Sequence, residues 1–238
     1  SSPFGQPINA VLKIVLDGSL IPRDEYPMGL YIAGAGTIVR GLVIHGFYAG
    51  IYIPPVANCR IEGCFIGTDA HGTTAPGNSF SGIDIYTMGA GEGPWNNTIG
   101  GTSPQARNLL SGNGYAGISV NGEGRNTIQG NYIGTDATGQ QSLPNRGGGI
   151  VIGGSHYNLI GGTESGAANL IAYNGRDGGV GIYGQNAAAY NTITRNRIHS
   201  NQQKGIVLAN GGNNNLAAPA ITTASQTQAS GTACAGCT

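Results

Sequence analysis

Asn126-Thr127-Ile128-Gln129-Gly130-Asn131-Tyr132-Ile133, followed by Asn145 and then Gly149-Ile150-Val151-Ile152, is one unit of a pattern that fills most of the chain. The closing tetrad returns as Gly50-Ile51-Tyr52-Ile53, Gly82-Ile83-Asp84-Ile85, Gly117-Ile118-Ser119-Val120 and Gly205-Ile206-Val207-Leu208. Three asparagine series run between the tetrads at matching offsets. They are Asn97, Asn126, Asn158 and Asn191; Asn108, Asn131, Asn169 and Asn196; and Asn78, Asn113, Asn145, Asn174 and Asn201. Recurrence at this length means stacked copies of one supersecondary unit.

Each unit reads as three short strands. Side chains alternate across a strand, so Ile150 and Ile152 face one side and Val151 the other. The same parity gathers Ile61, Ile99, Ile128, Ile160 and Ile193 into one inner stack, with Ile66, Leu110, Ile133, Ile171 and Ile198 beside it. The shortest unit leaves no room for helical crossovers, and the strands are rich in β-branched residues. These features predict an all-β parallel solenoid with rungs ~4.8 Å apart. About seven three-strand coils then span ~35 Å. Asparagine suits the corners because it tolerates left-handed backbone angles and its amide can bond the next coil. Residues 1–28 read as an N-terminal capping segment, 29–215 as the helix, and 216–238 as an extended tail or junction.

Charge is sparse and balanced, with 11 basic and 11 acidic residues, and no basic patch appears. Nucleic acid is therefore not an expected partner. The longest apolar stretch, Ile8 to Leu16, is interrupted by Asn9 and Lys13 and is too short to span a bilayer. It reads as a cap on the first coil. Ala220-Ile221-Thr222-Thr223 is strand-like, and Ile221 is expected to lie where the tail pairs with another subunit or a following domain. Cysteines come as two close pairs, Cys59 with Cys64 and Cys234 with Cys237, and read as structural disulfides of a secreted protein. For Cys59 and Cys64 buried packing is the alternative, because they fall at rail positions equivalent to Asn126 and Asn131.

Longer units carry two kinds of insertion. Gly67-Thr68-Asp69-Ala70-His71-Gly72 returns as Gly134-Thr135-Asp136-Ala137-Thr138-Gly139, and Gly100-Gly101-Thr102 returns as Gly161-Gly162-Thr163. Duplicated turn chemistry explains both. An outward, apolar second-strand column of Val43, Phe65, Leu109, Tyr132 and Leu170 is either covered by these loops or an interaction surface. Loop cover is the favoured reading, and the alternative is an interface at Phe65, Leu109, Tyr132 and Leu170.

The phrases Asn-x-Ile-Gly-Thr-Asp-Ala-Thr-Gly, Gly-Gly-Ile-x-Ile and Asn-x-Ile-Gly-Gly-Thr resemble bacterial extracellular proteins with parallel β-helix repeats. These belong to the pectate-lyase-like right-handed β-helix superfamily. The resemblance covers roughly residues 29 to 215 and implies a right-handed parallel β-helix, located outside the cell or on its surface. It does not fix an activity, because lyases, hydrolases, epimerases, adhesins and structural proteins share the fold. Catalytic signatures of the superfamily are not found: there is no adjacent Asp pair, no Asn-Thr-Asp, no Gly-His-Gly and no Arg-x-Pro-x-x-Arg.

The leading expectation is accordingly a structural or adhesive surface module, or a subunit that self-associates end to end. An alternative is a polysaccharide lyase or glycosidase using Asp84 and Glu92. Another is a non-catalytic carbohydrate binder using Tyr31, Tyr52 and Asp84, since aromatic rings at coil spacing can bind sugars. No cofactor is expected. Calcium would need Asp84 with a loop acid such as Glu92, or Asp69 and Asp136 beside exposed carbonyls. His45 and His199 fall at equivalent offsets five coils apart, which suits corners and not a catalytic dyad.

Overall fold

A computed structural model describes residues 7–8, 10–22, 25–86, 96–122, 124–184, 188–216, 220–224 and 229–232. Three parallel sheets run side by side along the molecule. The first strands of the coils are Ile38–Arg40, Arg60–Glu62, Thr98–Gly100, Thr127–Gln129, Leu159–Gly161 and Thr192–Thr194. The second are Ile14–Asp17, Leu42–His45, Phe65–Ile66, Leu109–Leu110, Tyr132–Ile133, Leu170–Ala172 and Arg197–His199. The third are Met28–Tyr31, Ala49–Ile53, Ile83–Tyr86, Ile118–Asn121, Gly148–Gly153, Gly178–Tyr183 and Ile206–Ala209.

Register follows the sequence columns. Ile61 pairs with Ile99, Ile99 with Ile128, and Ile128 with Ile160. Those four isoleucines are fully buried, as are Ile66, Leu110, Ile133 and Ile171 in the neighbouring stack. The solenoid opens earlier than residue 29. Ile14–Asp17 pairs residue for residue with Leu42–His45, so the expected cap is itself a rung.

The asparagines form hydrogen-bonded rails. Asn108 Nδ2 donates to Asn131 Oδ1 (2.9 Å), Asn131 Nδ2 to Asn169 Oδ1 (3.0 Å), and Asn169 Nδ2 to Asn196 Oδ1 (2.8 Å). Each carbonyl oxygen also takes the backbone N–H of the preceding rung, as Asn131 Oδ1 does from Asn108. The left-handed backbone sits one residue earlier than expected. Asn96, Arg125, Tyr157, Tyr173, Tyr190, Arg195 and Ser200, each immediately before a rail asparagine, have φ between 53° and 65°. The preceding residue makes the corner, which frees the asparagine to point inward.

Cys59 and Cys64 are free, fully buried thiols, which corrects the disulfide expected between them. They start two different rails: the N–H of Cys59 donates to Asn97 Oδ1, and that of Cys64 to Asn108 Oδ1. Each thiol points at a different set of carbonyls, Gly34 and Ala57 for Cys59, Val39 and Glu62 for Cys64. The first member of a rail has no amide below it to receive, so an acceptor is not needed there. A cysteine serves. Cys234 and Cys237 lie outside the described residues.

The outward second-strand column is a second core, which corrects the alternative of an interface there. Val43, Phe65, Leu109, Tyr132 and Leu170 are at most 3% exposed and pack with Ala137 and Ala172, flanked by Ile8, Leu12, Ala70 and Tyr173. The twin loops lie over the column. At Gly139, φ is +74°, and a Cβ would come within 2.9 Å of Leu170 and 3.0 Å of Tyr132. Each loop is locked by its aspartate. Asp69 Oδ1 accepts from the N–H groups of Thr73 (2.8 Å) and Thr74 (3.0 Å), and Asp136 Oδ1 from those of Gln140 and Gln141 (both 3.0 Å). Burial alone would raise the Asp69 carboxyl, but these backbone bonds outweigh it and hold the group below its ordinary value. Both carboxylates are thus spent on turn structure.

At the other end, Asn213 extends the first rail by accepting from the Asn191 N–H at 2.8 Å. The strand Ala220–Ala224 pairs antiparallel with Ala229–Thr232. The segment around Ile221 therefore has a strand partner within its own chain on one edge.

Candidate functional site

The outer face of the third-strand sheet carries the groups that the coils leave unspent. Pairing places Tyr31, Tyr52, Asp84, Ser119, Val151, Gly181 and Val207 in one outward column. A parallel column two residues on contains Tyr86, Asn121, Gly153 and Tyr183. The predicted Tyr31–Tyr52 pair forms, with ring centroids 5.3 Å apart and planes inclined at 33°.

Sequence reasoning missed a second aromatic series on the opposite flank of Asp84. Tyr48, Phe80 and Tyr115 stack with centroids 5.0 Å apart and interplanar angles of 4° and 16°. Its signal was present, an aromatic residue two positions before the tetrad glycine in three consecutive units. Stacked in this way, the rings spend their faces on one another and turn edges outward. A bound sugar would meet ring edges and hydroxyls more than open faces, unlike the stacking expected from the sequence.

Asp84 lies between these flanks and is 7% exposed. Burial pushes its carboxyl up to about 6, against a smaller lowering from the Ser119 hydroxyl. Its Oδ1 is buried without a hydrogen-bond partner. The phenols of Tyr48 and Tyr52 are raised first by burial and then by the charge of Asp84. Asn121 Nδ2 donates to Ser119 Oγ at 3.0 Å, which adds an amide beside the hydroxyl.

The face is bounded along the axis. At one end Tyr52 Oη donates to the Tyr86 carbonyl (3.4 Å). Toward the other, Tyr183 reaches across Gly181 and donates to Asp177 Oδ1 at 3.3 Å, with its phenol raised to about 12 by burial and by Asp177. A Cβ on Gly181 would come within 2.6 Å of the Tyr183 ring, so glycine is what lets that bridge lie flat. Between the two closures lie Asp84, Ser119 and Val151, a span on the order of 15 Å at one rung per ~4.8 Å.

Asp84 is held at a cost to stability. The folded protein keeps its proton to higher pH than the unfolded chain, whose value is 3.8. Stability from this group therefore falls as pH rises from 3.8 to about 6, and the full penalty, on the order of 3 kcal/mol, stands at pH 7. Asp84→Asn is expected to be more stable than the parent by about that amount at pH 7 and to match it near pH 3.5. Thermal or urea unfolding at both pH values checks this. Equal gains at both would mean that the carboxylate charge is not the source.

Other candidates are dispersed. His45 Nδ1 lies 3.5 Å from Asp17 Oδ1, whereas His199 packs edge-on against Tyr173 and bonds Ser200. Arg195 donates to the Thr163 carbonyl. Glu92 lies outside the described residues. Among those described, Asp84 has Tyr52 and Ser119 as column neighbours, and no three His, Cys, Asp or Glu side chains gather as a metal-ligand set.

Three parallel sheets with stacked asparagine rails define a β-helix protein. The family described as right-handed β-helix region matches residues 96–226, more than half of the chain, and the chain belongs to it. The fold is thus a right-handed parallel β-helix. Comparison with curated proteins and with solved structures gives no match.

Proposed function

We propose that this chain is a structural β-solenoid of the cell surface or extracellular space that binds a polysaccharide along its third-strand face without turning it over. The observation that carries this reading is the row of phenols along this face, with Tyr31 and Tyr86 exposed and Tyr31 packed on Tyr52, beside the buried carboxyl of Asp84. The phenols and the half-buried Asn121 amide supply donors and acceptors for sugar hydroxyls along the face. At the last coil, Ile206 is 43% exposed and the edge strands pair on one side only among the described residues. That end is where the module would join a neighbouring domain or a second copy.

The enzymatic reading draws on one feature, a carboxyl raised to about 6 and so suited to proton transfer. Glycoside hydrolysis commonly uses two carboxyl groups across the scissile bond, and the column neighbours of Asp84 supply none. Binding and turnover are therefore to be measured together on a panel of acidic and neutral polysaccharides. The expected result is affinity for at least one glycan, weakened tenfold or more by Tyr31→Ala or Tyr52→Ala, with no release of reducing ends or unsaturated products. Product release that Asp84→Asn abolishes would replace binding by catalysis. No affinity across the panel would remove the carbohydrate reading.

A further inference from the structure

The first-strand sheet carries a charged cluster that the third-strand face does not use. Arg40 and Glu62 are register partners on adjacent rungs, and Arg60 lies two residues before Glu62 on the same face. Glu62 is only 3% exposed. Both of its oxygens are taken: Oε1 by Arg40 Nε at 2.8 Å and by Arg40 Nη2, and Oε2 by Arg60 Nη2 at 3.0 Å. The two arginine side chains are 68% and 53% exposed. With Gly101, Thr102, Ser103, Gln105 and Ala106 of the insertion after the first strand, these residues line a cavity of about 310 Å³.

Glu62 acts here as an anchor. A carboxylate saturated on both oxygens fixes two guanidinium groups, yet each guanidinium has five N–H donors and only part of each set is used. Among the described residues the side-chain hydrogen bonds of Arg40 and Arg60 all go to Glu62. Two positive charges against one negative leave the cavity at net +1. It contains no other acid, and its volume lies at the small end of ligand pockets.

We propose that this cavity binds a monoanionic oxyanion group, a sulfate ester or a carboxylate, carried on a saccharide unit. A monoanion balances the single uncompensated charge, whereas a dianionic phosphate would overshoot it. Planar arginine forks match carboxylate and sulfate oxygens in pairs. Thr102, Ser103 and Gln105 supply neutral polar groups for the hydroxyls of the same unit. The site lies on a different sheet from Asp84 and does not depend on the third-strand face.

The test is calorimetric or NMR titration of the full chain with glucuronate, glucose 6-sulfate, glucose and inorganic sulfate. One or both of the acidic sugars should bind at least tenfold more tightly than glucose. Arg60→Gln, and separately Arg40→Gln, should weaken that binding tenfold or more, whereas Arg197→Gln, at another exposed arginine, should leave it intact. Equal affinity for glucose and both acidic sugars overturns the proposal, as does retained affinity in a folded Arg60→Gln or Arg40→Gln variant. Inorganic sulfate binding as tightly as glucose 6-sulfate would make a free ion the ligand and remove the saccharide.

Discussion

Asn131→Leu is expected to destabilise the solenoid by on the order of 4 kcal/mol, although leucine is similar in size and more apolar. Asn131 sits in the middle of the second rail and is fully buried. Its Oδ1 accepts from the N–H of Asn108 (3.3 Å) and from Asn108 Nδ2 (2.9 Å). Its Nδ2 donates to Asn169 Oδ1 (3.0 Å) and to the carbonyls of Ile99 (2.9 Å) and Gln129 (3.0 Å). Leucine removes every one of these while leaving the partners buried. Each buried donor or acceptor left unpaired costs roughly 1–3 kcal/mol, so two or three orphans outweigh the ~1–2 kcal/mol that extra apolar burial can return. Because each coil depends on its neighbours, the damage should be local. Hydrogen exchange should accelerate first in the coils containing Asn108, Asn131 and Asn169, with an accompanying drop in the unfolding midpoint. A loss below about 1 kcal/mol would mean that the rails are ornamental and that the isoleucine stacks alone hold the coils.

The same rail explains what was readable from sequence. An asparagine ladder works only if its members are aligned rung by rung, so the spacing of Asn108, Asn131, Asn169 and Asn196 had to encode the register. The isoleucine columns encode it a second time. Corner conformation was harder to place. Left-handed residues such as Tyr157 and Tyr190 carry no signature of their own, because a strained φ is imposed by the stacked neighbours and not by the side chain. Cys59 and Cys64 were ambiguous for a related reason. Spacing in the chain suggested a pair, whereas position in the rails separated them, and only the folded chain shows which carbonyls each thiol meets.

The candidate site was half visible. Tyr31, Tyr52 and Asp84 follow from strand parity, and the structure places them in one column. The burial of Asp84 was not readable, because the covering groups come from other coils and from the flanking column. A polar residue on an outward position normally meets water. Here burial raises the phenols of Tyr48 and Tyr115, the charge of Asp84 adds to the rise at Tyr48 and, behind Asp177, at Tyr115, and the carboxyl itself is shifted upward. Parity predicts direction; it does not predict cover.

That distinction decides the second large effect, expected at Phe65. Parity directs Phe65 away from the solenoid axis, as it does Leu109, Tyr132 and Leu170. If the column were an exposed interface, Phe65→Ala would leave the isolated protein as stable as before and weaken only association. In the structure Phe65 is 1% exposed, it pairs in register with Val43 and Leu109, and the loop containing Gly72 lies over it. Removing a buried phenylalanine forfeits its transfer free energy and leaves a cavity, typically ~3–5 kcal/mol together. The loop above it is held by the two backbone bonds of Asp69 and by its contact with the column, so loss of the ring should loosen residues 67–77 before the solenoid itself opens. Phe65→Ala is therefore expected to unfold on the order of 4 kcal/mol more easily and to be cleaved by protease within that loop, with its oligomeric state unchanged at matched concentration. A variant of parental stability that has lost self-association would restore the column as an interface. The two readings separate cleanly because a covered ring contributes to folding at any dilution, whereas an interface ring contributes only when a partner is present.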